Sequence, residues 1–256
     1  MPDLGRIAGG IRLSVTTLTV VPLRLGAIDR RAAGVAMSVA PAVGIVLGAV
    51  IAGVGLGAVA LGTTPLLGAV LAIAASVGLT RGLHLDGLAD TVDALGSYRD
   101  PEAALAIMRK PDVGPFGVAA IVLVLLAQVA SAATMLGRPW YAAAAGMTAA
   151  TAAGRLAIGF ACRRGVPAAR EDGLGALVAG TVGRPALVLG LAAVAGVAVA
   201  SVPDRPWQGP LAVLIAVGAA IGLVRHTVGR LRGVTGDVLG ATCELAVTVT
   251  YVVGSM

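Results

Sequence analysis

Asp86, Asp90 and Asp93 fall within eight residues of the stretch RGLHLDGLADTVDALGS, residues 81–97, in a chain only 12% charged. On a helix these positions are i, i+4 and i+7, and at about 100° per residue they lie within an arc of roughly 60°. Three carboxylates on one face repel one another unless a cation sits between them, and the repulsion grows at the edge of a low-dielectric region. Oxygen-only ligands select a hard divalent ion, and Mg²⁺ with part of its shell left for phosphate oxygens is the usual choice. The competing reading is a solvated acidic helix end. Against it, no Lys or Arg stands four residues after any of the three. His84 points away from the aspartate face of an ideal helix, which suits a structural role or a hydrogen bond behind the ligands better than ligation. Gly87 either permits close helix packing or lets a bulky substrate approach the backbone.

Cations and further acids stand at other polar positions. In EAALAIMRKPDVGPFG, residues 102–117, Arg109 and Lys110 end a short amphipathic helix before a run of Pro and Gly breakers. They read either as basic anchors beside a membrane or as a phosphate clamp facing the metal. Arg155 lies inside an apolar segment, where a charge is costly and normally turned to a polar interior, so a functional role is the default expectation. Residues 163–184 mix Arg170, Glu171 and Asp172 with several glycines and read as a nucleotide-binding loop or a simple connector. Near the end, GVTGDVLGATCELAVTVT places Asp237 at the mouth of the last apolar segment and Glu244 inside it, seven residues on and on the same face. Arg81, His84, Arg109, Lys110, Arg155 and Asp237 are the substrate-binding candidates around the three aspartates.

The elements that must hold these residues are membrane helices. The chain has 256 residues, 57% hydrophobic and 3% aromatic. Apolar runs of about 17 to 25 residues recur between short charged patches, the length a helix needs to cross about 30 Å of hydrocarbon. Strands of alternating polarity, as in a β-barrel, are not visible, and abundant Ala and Gly favour closely packed helices. The expectation is an all-α, polytopic integral membrane bundle, a single transmembrane catalytic domain over residues 1–256. It has about seven spans, near 34–60, 65–80, 113–136, 140–161, 185–202, 209–225 and 239–255. Residues 9–21 are apolar but short and stop at Pro22, which suits an interfacial or re-entrant helix better than a full crossing, with an eighth span there as the alternative.

The net charge of +6 follows from the positive-inside rule and needs no nucleic-acid partner. Arg24, Arg30, Arg31, Arg81, Arg99, Arg109, Lys110, Arg163, Arg164, Arg170, Arg184, Arg225, Arg230 and Arg232 gather on one side. Arg138 and Arg205, with Trp140, Tyr141 and Trp207 near span ends, fall on the other. This alternation predicts a multi-pass protein of the cytoplasmic membrane with the aspartates and the active site facing the cytoplasm. Cys162 and Cys243 form no metal motif or disulfide framework. The first residues lack a convincing signal-peptide cleavage site.

These residues resemble the cobalamin synthase family, the adenosylcobinamide-GDP ribazoletransferases. LTVVP, GLHLDGLADTVDALG, ALAIMRKPDVGPFGVAA, AAREDGLGALVAG and GVTGDVLGATCEL follow the family's order along most of the chain. Ala94 stands where the family often has Gly, and RKPD replaces a more usual basic-Asp-Ser-basic pattern, which weakens any role for Asp112. The family is similar to the CDP-alcohol phosphotransferases, whose signature begins DxxDG, but Leu83 occupies the place of that first aspartate.

The resemblance implies the last steps of cobalamin nucleotide-loop assembly. The hydroxyl of α-ribazole, or of its 5′-phosphate, attacks the phosphorus of adenosylcobinamide-GDP nearer the corrinoid, and GMP leaves. It further implies Mg²⁺ on Asp86, Asp90 and Asp93, one of them doubling as base. Arg109, Lys110 and Arg155 would meet the pyrophosphate, and Asp237 a second metal or a substrate hydroxyl. Partners implied are the two substrates, the lipid bilayer, and either a homo-oligomer or a complex with other corrinoid-pathway enzymes. Two rivals remain. A secondary transporter predicts inverted repeats and acids at the midplane. A CDP-alcohol-type phospholipid phosphotransferase predicts the complete signature.

Overall fold

The computed structural model describes residues 4–26 and 28–256. The described residues are helical, with two isolated β-bridges and no strand. Helix α1 (Leu4–Leu18) has 15 residues, about 22 Å of rise, too short for the hydrocarbon core. It lies against α2 (Arg30–Ala60) so closely that a Cβ at Gly10 would come within 2.6 Å of Val35. Asp29 caps α2 by accepting from the Ala32 amide at 2.7 Å.

The chain continues through α3 (Pro65–Leu79), α4 (Leu83–Gly96), α5 (Pro101–Ile107), α6 (Pro115–Leu136) and α7 (Trp140–Ala161). It ends with α8 (Gly173–Val178), α9 (Arg184–Ala198), α10 (Gln208–Leu231) and α11 (Gly236–Ser255). Among the described residues five helices are long and apolar enough to cross a membrane: α2, α6, α9 with its extension to Ser201, α10 and α11. The bent pair α3–α4 makes a sixth if counted as one span. This is a multi-pass helical membrane protein.

Helix α7 accounts for the difference from seven expected spans. Its 22 residues match the predicted bounds, but its Gly and Thr content and Arg155 leave it less apolar than those five, and it is an interior helix, buried almost continuously from Ala142 to Ala161. A helix enclosed by other helices can carry Thr148, Thr151 and Arg155 where a lipid-facing one could not. Small residues let the backbones approach: a Cβ at Gly44 of α2 would stand 2.8 Å from the Ala152 Cα, and one at Gly48 equally close to the Thr148 Cα. Tight apposition of this kind supplies the dispersion contacts that hold helices together in lipid.

The predicted second span does not continue past Arg81. Arg81 (φ 58°) and Gly82 (φ 65°) are both left-handed, and α4 leaves α3 at 86°. Leu83–Gly96 is nevertheless one helix, so the three aspartates keep their i, i+4, i+7 relation.

Candidate active site

Helix α4 crosses α11 at a contact between two glycines. A Cβ at Gly87 would lie 2.7 Å from the Asp237 carbonyl oxygen and 2.9 Å from its Cα. One at Gly240 would lie 3.1 Å from the His84 carbonyl oxygen. The space beside Gly87 is therefore filled by protein backbone, not open to substrate. The crossing places Asp86 and Asp237 on the wall of one cavity of about 360 Å³.

That cavity is closed by Thr17 and Leu18 at the end of α1, Met37 of α2, Ile158 of α7, and the Gly173–Gly175 turn of α8. Leu83, His84 and Asp86 come from α4, Arg109 from the loop after α5, and Arg170 and Asp172 from the loop after α7. Backbone bonds tie this loop into place: the Ala169 amide donates to Val234 O and the Val234 amide to Pro167 O, each at 3.0 Å. Thr235 caps α11 by accepting from the Val238 amide, and its hydroxyl donates to Asp237 Oδ2 at 3.1 Å.

The electrostatics of the site are those of crowded acids facing guanidinium groups. Asp90 feels the charges of Asp237, Asp86 and Asp93, in falling order, opposed by Arg170. Arg170 donates to Leu105 O at 2.6 Å, which ties the α5 segment over the cavity. Arg109 donates to both carboxylate oxygens of Asp172 at 3.2 Å. Both partners are more than half exposed, so this pair is weak and a phosphate can displace it.

The sequence candidates separate into groups. Asp86, His84, Arg109 and Asp237 line the cavity, and Asp90 is within electrostatic reach of it. Asp93 turns elsewhere: its Oδ2 accepts from the Gly114 amide at 2.8 Å and its Oδ1 from the Gly117 amide at 2.9 Å. It thereby satisfies the positive first turn of α6 from another helix. Arg81 donates to Thr16 O at 3.0 Å, outside the cavity lining, and Lys110 is exposed, also outside it.

Arg155 is 2% exposed inside the bundle, bonded to Thr151 O at 3.3 Å, and does not line the cavity. Nearby, Glu244 accepts from Gln128 Nε2 at 2.8 Å, forming a polar layer beneath the site. His84 is 3% exposed, and neither ring nitrogen has a protein partner.

Thr235 was missing from the residues singled out in the sequence, and Arg170 entered them only as part of a loop read either as nucleotide-binding or as a connector. A Thr two residues before Asp237 at a helix start is a cap signal and could have been found. Arg170 sits in an irregular loop that no periodicity places.

Fold and cavity together define a class: a multi-pass helical membrane protein with carboxylates opposed to arginines at one end of the bundle. The family model described as cobalamin-5-phosphate synthase matches residues 10–255, and the chain belongs to that family. It is 40% identical to the adenosylcobinamide-GDP ribazoletransferase of Frankia casuarinae, over 96% of this chain and 94% of the relative. The protein of that name from a Nocardioides species is 42% identical, over 93% and 95%. The one from Pseudomonas savastanoi pv. phaseolicola is 34% identical, over 91% and 93%. No solved structure matches the chain significantly.

Proposed function

We propose that this protein is a transferase that joins adenosylcobinamide-GDP to α-ribazole or its 5′-phosphate and releases GMP. The observation that carries the reading is the cavity itself, in which Asp86 and Asp237 face Arg109 and Arg170, in a chain of this family. The whole chain acts as one catalytic unit in the cytoplasmic membrane, with the cavity on the cytoplasmic side. The basic loops at that end support this orientation.

Phosphoryl transfer asks a protein mainly for alignment and charge neutralisation. Arg109 exchanges its exposed Asp172 partner for oxygens of the diphosphate, and Arg170 reaches the same group while holding α5 closed above it. The hydroxyl of ribazole attacks the phosphorus nearer the corrinoid, and a carboxylate of α4 takes its proton.

Among the described residues no three His, Cys, Asp or Glu side chains converge as a ready metal cage. Mg²⁺ does not require one, since it usually takes one or two carboxylates and completes its shell with water and substrate phosphates. The all-oxygen acids at the cavity, Asp86 and Asp237 on its wall and Asp90 within electrostatic reach, fit that pattern. The ion, when bound, would neutralise charge on the diphosphate.

The test is release of GMP by purified, detergent-solubilised protein supplied with Mg²⁺, the GDP-activated corrinoid and α-ribazole. Release should require all three. Release at the same rate without ribazole would reduce the activity to hydrolysis and overturn the reading.

A further inference from the structure

The three aspartates of α4 share a helical face but not a task. Asp93 has committed both oxygens to the amides of Gly114 and Gly117. Two glycines make that seat possible, since a Cβ at Gly117 would stand 2.4 Å from Asp93 Oδ2. On α11 Asp237 is differently placed. Its side chain takes a single hydrogen bond, from the Thr235 hydroxyl, and lines the same wall as Asp86. The Gly87–Asp237 backbone contact holds residues 86 and 237 together at the crossing of two helices, so their separation does not depend on a loop.

A second feature of that wall points to a missing ligand. The His84 imidazole is almost wholly buried two residues before Asp86, and both of its nitrogens lack protein partners. A buried polar group left unpaired is costly unless something absent from the protein completes it. His84 lines the cavity, so a ligand bound there can supply the partner.

We propose that the divalent-ion site of this cavity is built across the α4–α11 crossing from Asp86 and Asp237, and that Asp93 anchors α6 and is not a ligand. Two carboxylates from two helices leave the rest of the shell to water and phosphate oxygens, as Mg²⁺ prefers. The inference takes the hard, oxygen-preferring ion from the proposed function but not the reaction itself.

Mn²⁺ binding to the purified full-length protein, followed by electron paramagnetic resonance with and without inorganic pyrophosphate, tests this. Asp86→Asn and Asp237→Asn should each weaken Mn²⁺ binding at least tenfold. Asp93→Asn should bind within twofold of wild type while melting at a lower temperature. Loss of binding in Asp93→Asn with wild-type binding in Asp237→Asn overturns the assignment.

A gain of binding guards against variants that fail to fold. The double variant Asp86→Cys/Asp237→Cys should acquire tight Cd²⁺ binding, and Asp86→Cys/Asp93→Cys should not. The reverse order overturns the proposal. If the ion data come out as expected and GMP release is never seen, the reaction is wrong and the ion site stands.

Discussion

Replacing Gly87 by Ala probes the site through its scaffold, without touching a charged group. The added methyl meets the Asp237 carbonyl oxygen at 2.7 Å, and ordinary contact begins at 3.4 Å, so α11 must retreat by about 0.7 Å or α4 must tilt. The atoms met are backbone, which cannot rotate aside. Overpacking of this kind costs about 1–3 kcal/mol, and the better helix propensity of Ala returns at most ~1 kcal/mol of it. The net loss of stability should therefore be modest, about 1–2 kcal/mol.

Activity should fall further, because the shift separates Asp86 from Asp237, and a misplacement near 1 Å can cost on the order of 100-fold in rate. The assay is GMP release beside thermal melting in the same detergent, with Gly222→Ala as control. At Gly222 of α10 a Cβ meets nothing within 4 Å, so that variant should turn over like wild type and melt at the same temperature or slightly higher. Wild-type turnover in Gly87→Ala would refute the claim that this crossing sets the site, as would an equal loss in both variants.

Three further outcomes follow from other contacts. Gly117→Ala drives a methyl into the Asp93 carboxylate and should lower the melting temperature more than Gly53→Ala, where nothing lies within 4 Å. Arg170→Lys loses the reach to both Leu105 O and the cavity, and should raise KM for the GDP-activated substrate about tenfold or more while the protein remains folded. The Ala32 amide holds the Asp29 carboxyl below its ordinary value of 3.8, opposed by desolvation, with Arg6 and Arg31 adding lesser pulls downward. Its capping charge thus contributes stability above that value and loses it as pH falls through the lowered one, so thermal melts of Asp29→Asn should be less acid-sensitive than wild type.

The parts of the site with a local rule were legible in the chain. The i, i+4, i+7 aspartates required only helical periodicity, and α6 appears close to its predicted bounds because apolar length is a strong signal. The fate of Asp93 was hidden, because its partners are the first amides of α6, 21 and 24 residues away across a Pro- and Gly-rich turn. Arg155 was correctly expected to face a protein interior, but the direction of a side chain within a bundle depends on which helices surround α7. Gly87 was ambiguous for the same reason: a glycine marks a close approach without naming what approaches.

The most direct measurement of the central claim is the path of oxygen in the reaction. With α-ribazole carrying ¹⁸O in its 3′-hydroxyl, which stays free in the 5′-phosphate as well, the label should appear in the new phosphodiester bridge to the corrinoid arm, and the released GMP should carry none. Label joined to the guanosine phosphorus, or a product formed without it, would contradict attack by the ribazole hydroxyl on the phosphorus nearer the corrinoid.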